Sequence, residues 1–257
     1  MATALVTGGT SGIGNAFATQ LAQRGHDLVI VARDVDRMNE IKRDFESRYG
    51  VRVEVLRADL AVREDLLLVR DRLESQDAPV DLLINNAGFG LNASLLDRDF
   101  SIQERAFDVM CLAVLVLGGA AGRAMKQRGH GTIINVGSTS GLIMKGNYSA
   151  IKAWVNSYSQ ALGIELDGTG VTVTALLPGW VHTEFHERAG VKQSKLPEFA
   201  WIDADRLVRE ALADAERGKP VSVPTKRYKV AMNLARIAPL PILRRLSGKL
   251  SASRRKH

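Results

Sequence analysis

Residues 3–14 run Thr3-Ala4-Leu5-Val6-Thr7-Gly8-Gly9-Thr10-Ser11-Gly12-Ile13-Gly14, an apolar strand passing through a glycine-rich turn into a helical pattern. This constrains the chain more than any other segment. Gly8 permits a tight turn, Gly12 lets backbone approach a pyrophosphate, and Gly14 lets the helix lie close on the strand. The helix N-terminus then turns its N–H groups and positive dipole end toward an anion. The spacing is GxxxGxG rather than GxGxxG, and a glycine turn alone has many uses. Its place between the first strand and the first helix is what points to a dinucleotide phosphate.

Apolar runs and amphipathic stretches alternate after this point. Strands are expected over 2–7, 27–33, 51–57, 80–85, 131–137, 171–177 and 219–223, and helices near 12–24, 35–48, 63–76, 101–127 and 149–167. In the 35–48 stretch, Val35, Met38, Ile41 and Phe45 recur at helical spacing. Such alternation predicts an α/β fold: a single-domain, Rossmann-type, doubly wound parallel sheet of about seven strands with helices on both faces. Its functional crevice belongs at the C-terminal ends of the strands. The domain is expected to occupy residues 1–225, followed by a basic, partly apolar C-terminal tail over 226–257.

A chain of 257 residues can bury a large core without disulfides or structural metal. Its one cysteine, Cys111, sits in an apolar stretch and reads as a small buried hydrophobe. No Cys/His cluster suggests a metal site. The N-terminus opens directly on a strand-like run, so no signal peptide is expected. The apolar run 109–121 is short of the roughly 20 residues that span a bilayer. The expected location is the cytoplasm. The net charge of +7 is uneven: residues 226–257 hold ten Lys/Arg and no Asp or Glu. Subtracting these leaves 25 basic and 28 acidic residues in 1–225, a balance of −3.

The second strand ends in Ala32-Arg33, where NAD sites usually place an Asp or Glu for the ribose 2′-hydroxyl. A guanidinium there can pair with a 2′-phosphate, so NADP(H) is expected over NAD. The rival is Asp34, one residue later, which could face the ribose if the turn differs.

Further motifs stand at successive strand ends: Asp59-Leu60 after the third, Asn85-Asn86-Ala87-Gly88 after the fourth, Ser138 after the fifth, and Pro178-Gly179 after the sixth. Tyr148-Ser149-Ala150-Ile151-Lys152 follows Ser138. With these in order, residues 1 to about 185 resemble the short-chain dehydrogenase/reductase family. The resemblance implies carbonyl/alcohol redox chemistry with a nicotinamide cofactor, a small-molecule carbonyl or alcohol substrate, and a homodimer or homotetramer. It places the cofactor along Gly8, Thr10, Ser11, Gly12, Ile13 and Gly14, with Arg33, Asp59 and Leu60 toward the adenosine. Asn86, Ala87 and Gly88 would line its central part. Pro178, Gly179, Val181 and Thr183 would meet the nicotinamide end. Asn85 reads as a support of the sheet end.

The residues themselves suit that chemistry. Tyr148 and Lys152 stand four apart and share a helix face. A free tyrosine titrates near 10, and a nearby ammonium stabilises its phenolate. Tyr148 is therefore the candidate acid/base, Ser138 the group that orients the substrate oxygen, and Lys152 the helper of Tyr148 and, by resemblance, a holder of the cofactor ribose. Two departures from the family pattern stand out. Met110 occupies the place of an Asn thought to help fix a water beside the lysine. Ser138 and Tyr148 are only ten apart, which shortens the loop 139–147. A protein that kept the fold but lost the chemistry, as a cofactor sensor or scaffold, is the rival reading, and Met110 is its support.

On the substrate side, Trp180, Phe89, Leu91 and Trp201 could form an apolar pocket or belong to the core, with a hydrophobic or acyl-chain ketone the favoured substrate. His182 and His186, four apart, lack a third ligand and read as solvent-facing lid residues rather than a metal site. In the tail, Val230, Leu234, Ile237, Leu240, Ile242, Leu243, Leu246 and Leu250 alternate with basic residues around Pro239 and Pro241. That pattern fits either peripheral contact with an anionic membrane at its inner face or packing on a subunit partner. Nucleic acid is not expected, since no reader motif accompanies the charge.

Overall fold

The computed structural model describes residues 2–91, 93–182 and 201–252. Among the described residues the strands are β1 (Thr3–Thr7), β2 (Asp27–Ala32), β3 (Val53–Arg57), β4 (Leu82–Asn85), β5 (Gly131–Val136), β6 (Val171–Leu176), β7 (Trp180–Val181), β8 (Trp201–Ile202) and β9 (Val221–Ser222). The helices are α1 (Gly12–Gln23), α2 (Val35–Tyr49), α3 (Arg63–Glu74), α4 (Ser101–Phe107), α5 (Ala113–Arg128), α6 (Gly146–Glu165), α7 (Ala204–Glu216), α8 (Lys226–Ile237) and α9 (Leu240–Ala252).

The seven expected strands form one sheet in the order β3-β2-β1-β4-β5-β6-β9, with every pairing parallel. Strand order reverses between β1 and β4, so the crevice of this doubly wound sheet opens beside the glycine turn. Helices cover both faces. Along β1, Ala4 and Val6 join a core with α1, α2 and α7, while Leu5 joins the other core with α3, α5 and α6. The same alternation holds in β2, where Leu28 and Ile30 face one way and Val29 and Val31 the other. Strands buried on both sides read as unbroken apolar runs for this reason.

Several elements go beyond the sequence expectation. Residues 101–128 do not form one regular helix, because a π-helical turn over Asp108–Leu112 joins α4 to α5. By length and composition this 28-residue helix could cross a bilayer, yet most of its apolar window is buried in the fold. A short 3₁₀ turn, Thr139–Leu142, follows Ser138. Helix α7 was not among the expected helices, although Leu207, Val208, Ala211, Leu212 and Ala215 all face the core. Strands β7 and β8 pair as a small separate ribbon.

Within residues 226–252 the chain is largely helical and seated on the domain. Tyr228 and Met232 of α8 join a third core cluster with Ala175, Leu177 and Val223. Ser247 of α9 accepts a hydrogen bond from the Met144 N–H at 3.0 Å. Entry to α8 is fixed at Thr225, a buried residue with φ +70°, whose N–H donates to Glu210 at 2.9 Å. That backbone conformation costs of order 1–3 kcal/mol.

Asp214 secures the sheet edge from α7. Its carboxylate is buried and accepts from Arg217 and Lys219, each at 2.7 Å, and from the Ser222 hydroxyl of β9 at 2.8 Å. Burial pushes its carboxyl up, but the bonds from Lys219, Arg217 and Ser222 outweigh that and hold it below its ordinary value. Asp214→Ala is expected to lower the unfolding free energy at neutral pH by about 1.5–3 kcal/mol, the range for hydrogen bonds to a charged group. The carboxylate's contribution is present above the ordinary carboxyl value of 3.8, so the difference in urea unfolding should shrink only as pH falls below it.

Candidate active site

The glycine turn holds the shape a phosphate cradle needs. Gly8 and Gly12 have φ of +66° and +53°, a region that other L-residues rarely enter. A Cβ on Gly14 would collide with the Gly8 carbonyl and the Asn86 amide, so only glycine lets α1 start this close to β1. The first turn of α1 has no acidic side chain to neutralise its positive end. Thr10, Ser11 and Ile13 lie partly exposed in the turn.

Two residues bind this turn to the neighbouring strand. The Thr7 hydroxyl accepts from the N–H groups of Asn86 and Ala87, at 2.9 and 3.0 Å. The Asn86 amide donates to the carbonyls of Thr7 and Gly8, at 3.0 and 3.3 Å. The Asn86 side chain thus shapes the cradle from behind. Asn85 donates to Asn135 at 2.9 Å, and Asn135 to Ser159 at 3.0 Å, a buried row across the strand ends.

Arg33 is exposed at the end of β2. Its rival Asp34 is the N-cap of α2, accepting from the Arg37 N–H at 3.0 Å. Asp59 is gripped by Arg105 of α4, whose Nη2 reaches both carboxylate oxygens at 2.9 and 2.7 Å. Burial raises the Asp59 carboxyl, but Arg105, the Ala61 N–H and the charge of Arg33 together hold it below the ordinary value. Leu60 is buried behind it.

Ser138, Tyr148 and Lys152 gather at the C-terminal end of β5. Tyr148 and Lys152 project from α6, with the Lys152 ammonium 5.8 Å from the centre of the Tyr148 ring. Lys152 is buried and donates to the Val136 carbonyl at 2.7 Å. The Ser138 hydroxyl hydrogen-bonds the Tyr148 phenol and accepts from the Ser140 N–H at 3.0 Å. Burial pushes the Tyr148 phenol above its ordinary value, and Ser138 pulls against that rise. Burial brings Lys152 down to about 8, opposed by the Cys111 thiol, which burial itself pushes up to about 11. The ten-residue spacing between Ser138 and Tyr148 is bridged by the 3₁₀ turn, so the shortened loop still brings them together.

Asn156, which no sequence motif singles out, stands one turn beyond Lys152 on the same face of α6. It is buried, donates to the Ser138 carbonyl at 3.0 Å and accepts from the Ser138 N–H at 3.3 Å. Gly137 makes room for it, since a Cβ there would collide with the Asn156 side-chain oxygen. The i, i+4, i+8 spacing of Tyr148, Lys152 and Asn156 was the available signal.

Met110 lies in the π-helical turn, fully buried, and its sulfur would stand 3.0 Å from a Cβ on Gly88. It fills apolar space against the Asn85–Gly88 motif. The Pro178 carbonyl accepts from both the N–H and the hydroxyl of Thr139, each at 3.0 Å, joining the Pro178-Gly179 turn to the Ser138 loop. The Tyr228 ring lies against Gly179, and its hydroxyl accepts from the Trp180 N–H at 3.1 Å. Val181 is buried in β7, and Thr183 lies outside the described residues.

The apolar candidates separate. Leu91 and Phe89 belong to a core cluster, whereas Trp180 and Trp201 meet edge to face at 5.7 Å on the β7–β8 ribbon. His182 stacks on Trp201 at 4.7 Å, and His186 lies outside the described residues. Among the described residues, no three His, Cys, Asp or Glu side chains gather in a metal-holding group.

A parallel doubly wound sheet with a glycine cradle at its switch point and a Ser-Tyr-Lys cluster beside it belongs to the dinucleotide-binding oxidoreductase class. Comparison with known proteins makes this specific. The short chain dehydrogenase family profile matches residues 2–194. An uncharacterized oxidoreductase of Staphylococcus saprophyticus is 34% identical over 183 residues, 70% of this chain and 78% of that protein. The very-long-chain 3-oxoacyl-CoA reductase of Anas platyrhynchos is 32% identical over 81% of this chain and 67% of its own length. Among solved structures, a short-chain dehydrogenase from Sphingobium yanoikuyae in complex with NADPH aligns with a TM-score of 0.84 and 37% identity, covering 92% of this chain and 93% of that one. The bulky-bulky ketone specific alcohol dehydrogenase from Comamonas testosteroni aligns with a TM-score of 0.80 and 33% identity, covering 92% of each chain. The chain belongs to the short-chain dehydrogenase/reductase family.

Asn156→Ala is expected to free the Ser138 loop. Turnover of any substrate this oxidoreductase accepts should fall by about tenfold or more, as displacement of a group in the site predicts. Nicotinamide-cofactor affinity by calorimetry should change little, and Asn156→Gln should not restore the rate, because its longer chain cannot fit under Gly137.

Proposed function

We propose that this protein is an NADP(H)-dependent reductase of carbonyl compounds, working reversibly on the corresponding alcohols, with Tyr148 as general acid/base. The observation that carries this reading is the meeting of Ser138, Tyr148 and Lys152 at the end of β5, beside the glycine cradle. The cradle fits a dinucleotide: its glycines leave space at a helix N-terminus, and Arg33 stands exposed where a 2′-phosphate would lie. Asp34 is already engaged as a helix cap, which favours Arg33 as the residue that reads the ribose. The NADPH complexes of the Sphingobium protein and of L-sorbose reductase from Gluconobacter frateurii support the same cofactor.

When bound, the nicotinamide supplies or accepts the hydride. The chain's own groups manage the proton. A phenol held protonated by burial is suited to donate to a carbonyl oxygen as negative charge grows there. Ser138, already beside the phenol, offers a second hydrogen bond to that oxygen. Lys152 places a positive charge under the phenol, stabilises the phenolate left after donation, and keeps donors to spare for the cofactor ribose. Arg33, Asp59 and Leu60 would hold the adenosine part, Gly8 to Gly14 the pyrophosphate, and Asn86 to Gly88 the central part. Pro178, Gly179, Val181 and Thr183 would hold the nicotinamide end. A hydrophobic ketone is the substrate class supported by the long-chain oxoacyl and bulky-ketone relatives. A homodimer or homotetramer in the cytoplasm completes the reading.

Tyr148→Phe should lower ketone reduction by at least about 10²-fold while NADPH affinity holds, the usual contribution of a positioned acid. Survival of more than half the activity would overturn the assignment. Arg33→Ala should weaken NADPH by about 1.5–3 kcal/mol and leave NADH nearly unchanged, consistent with a lost bond to a charged group. Equal weakening of both would remove Arg33 from that role.

The Lys152 ammonium is present below about pH 8 and lost above it. The pH profile of kcat/KM for NADPH reports the free enzyme. It should therefore decline as pH rises through about 8. In Lys152→Arg any residual activity should lack that decline, since a guanidinium stays charged to beyond about pH 12.

A further inference from the structure

We propose that α8 and α9 form a docking surface for an anionic phospholipid bilayer. On α8, Val230, Leu234 and Ile237 recur at four- and three-residue spacing, so they make one stripe. All are open to solvent, Val230 and Leu234 at 59% and Ile237 at 79%. The opposite side of the helix is committed to the fold, since Tyr228 and Met232 join the core. Beyond Pro239, Leu240 and Ile242 are also exposed.

Cations border the stripe. Lys226 lies one turn before Val230 on the same side, and Lys229 and Arg227 flank it, all three exposed. Arg244 and Arg245 of α9 are exposed as well. No Asp or Glu occurs anywhere in 226–257, while residues 1–225 carry a small acidic excess. The positive charge is therefore concentrated beside the exposed aliphatic residues rather than spread over the molecule. An exposed apolar stripe with a cationic border is the pattern of a helix lying in the headgroup region of an anionic membrane.

The surface is anchored to the domain at two points. Tyr228 fixes α8 to the Pro178-Gly179 turn, and Ser247 fixes α9 to Met144. A second copy of the chain is the less favourable occupant. A twofold contact would set the same cationic border against itself, with like charges facing each other.

The test is co-sedimentation of the full-length protein with vesicles of phosphatidylcholine alone, or with about one third phosphatidylglycerol, at low salt and at roughly 0.5 M salt. Binding is expected only to the anionic vesicles, and should fall at least tenfold at high salt. Leu234→Glu/Ile237→Glu and Lys226→Glu/Lys229→Glu alter only exposed positions and should each lower binding at least tenfold, with NADPH affinity by calorimetry unchanged. The salt and lipid dependence of the unaltered protein tests the proposal without any variant. No binding to anionic vesicles at low salt, equal binding to phosphatidylcholine, or undiminished binding by both variants would each overturn it. Loss of binding by the apolar variant together with a smaller assembly in light scattering would overturn it in favour of a second copy.

Discussion

The buried contact between α6 and the end of β5 is the constraint on which the site rests. Lys152 donates to the last carbonyl of β5, and Asn156 clasps Ser138 through both of its backbone groups. A buried ammonium is costly unless it is well bonded, and its reduced affinity for a proton is the expected mark of that cost. The helix can hold these groups because it is 20 residues long and packs on β5 and β6 beside α5, so its register along β5 is fixed by packing rather than by the site alone. Preorganisation of this kind is what the proposed action of Ser138, Tyr148 and Lys152 on one oxygen would require.

The same logic extends to the cofactor side. Thr7 and Asn86 join the ends of β1 and β4 where the strand order reverses. The Thr7 hydroxyl is turned toward the end of β4, and the Asn86 amide toward the glycine turn. Asp59 likewise faces Arg105, which ties the end of β3 to α4. Residues that a motif suggests as ligand contacts can thus serve as braces as well. The Pro178-Gly179 turn is braced twice, by Thr139 from the serine loop and by Tyr228 from α8. This joins the C-terminal helices to the end of the crevice where a nicotinamide would lie.

Much of this was legible in the sequence because the physics is local. The seven strands are apolar runs, the cradle is a glycine spacing, and Tyr148 and Lys152 share a face by simple helical geometry. The parts that escaped have two kinds of cause. The ribbon of β7 and β8 has two residues in each strand and depends on a contact between positions 21 apart, so no periodicity announces it. The π-helical turn at Asp108–Leu112 adds a residue to a helix whose pattern otherwise continues, and Met110 makes sense only once Gly88 is seen against it. Helix α7 and Asn156 are different. The apolar face of Leu207, Val208, Ala211 and Leu212 behind the Asp203 cap, and the i+8 position on α6, were both readable from spacing. The C-terminal helices lay between these cases: their apolar and basic pattern was plain, but which side Tyr228 and Met232 would bury was set by the tertiary fold.

The central claim is that this constellation moves a hydride and a proton between NADPH and a carbonyl group. The most direct measurement is label transfer: NADPH carrying deuterium at both C4 positions is incubated with the enzyme and a hydrophobic ketone, and the product is analysed by mass spectrometry. The account predicts an alcohol with one deuterium on the carbinol carbon and a hydroxyl proton drawn from solvent. Tight binding of NADPH by the same protein with no labelled alcohol from any of a broad set of ketones would contradict it.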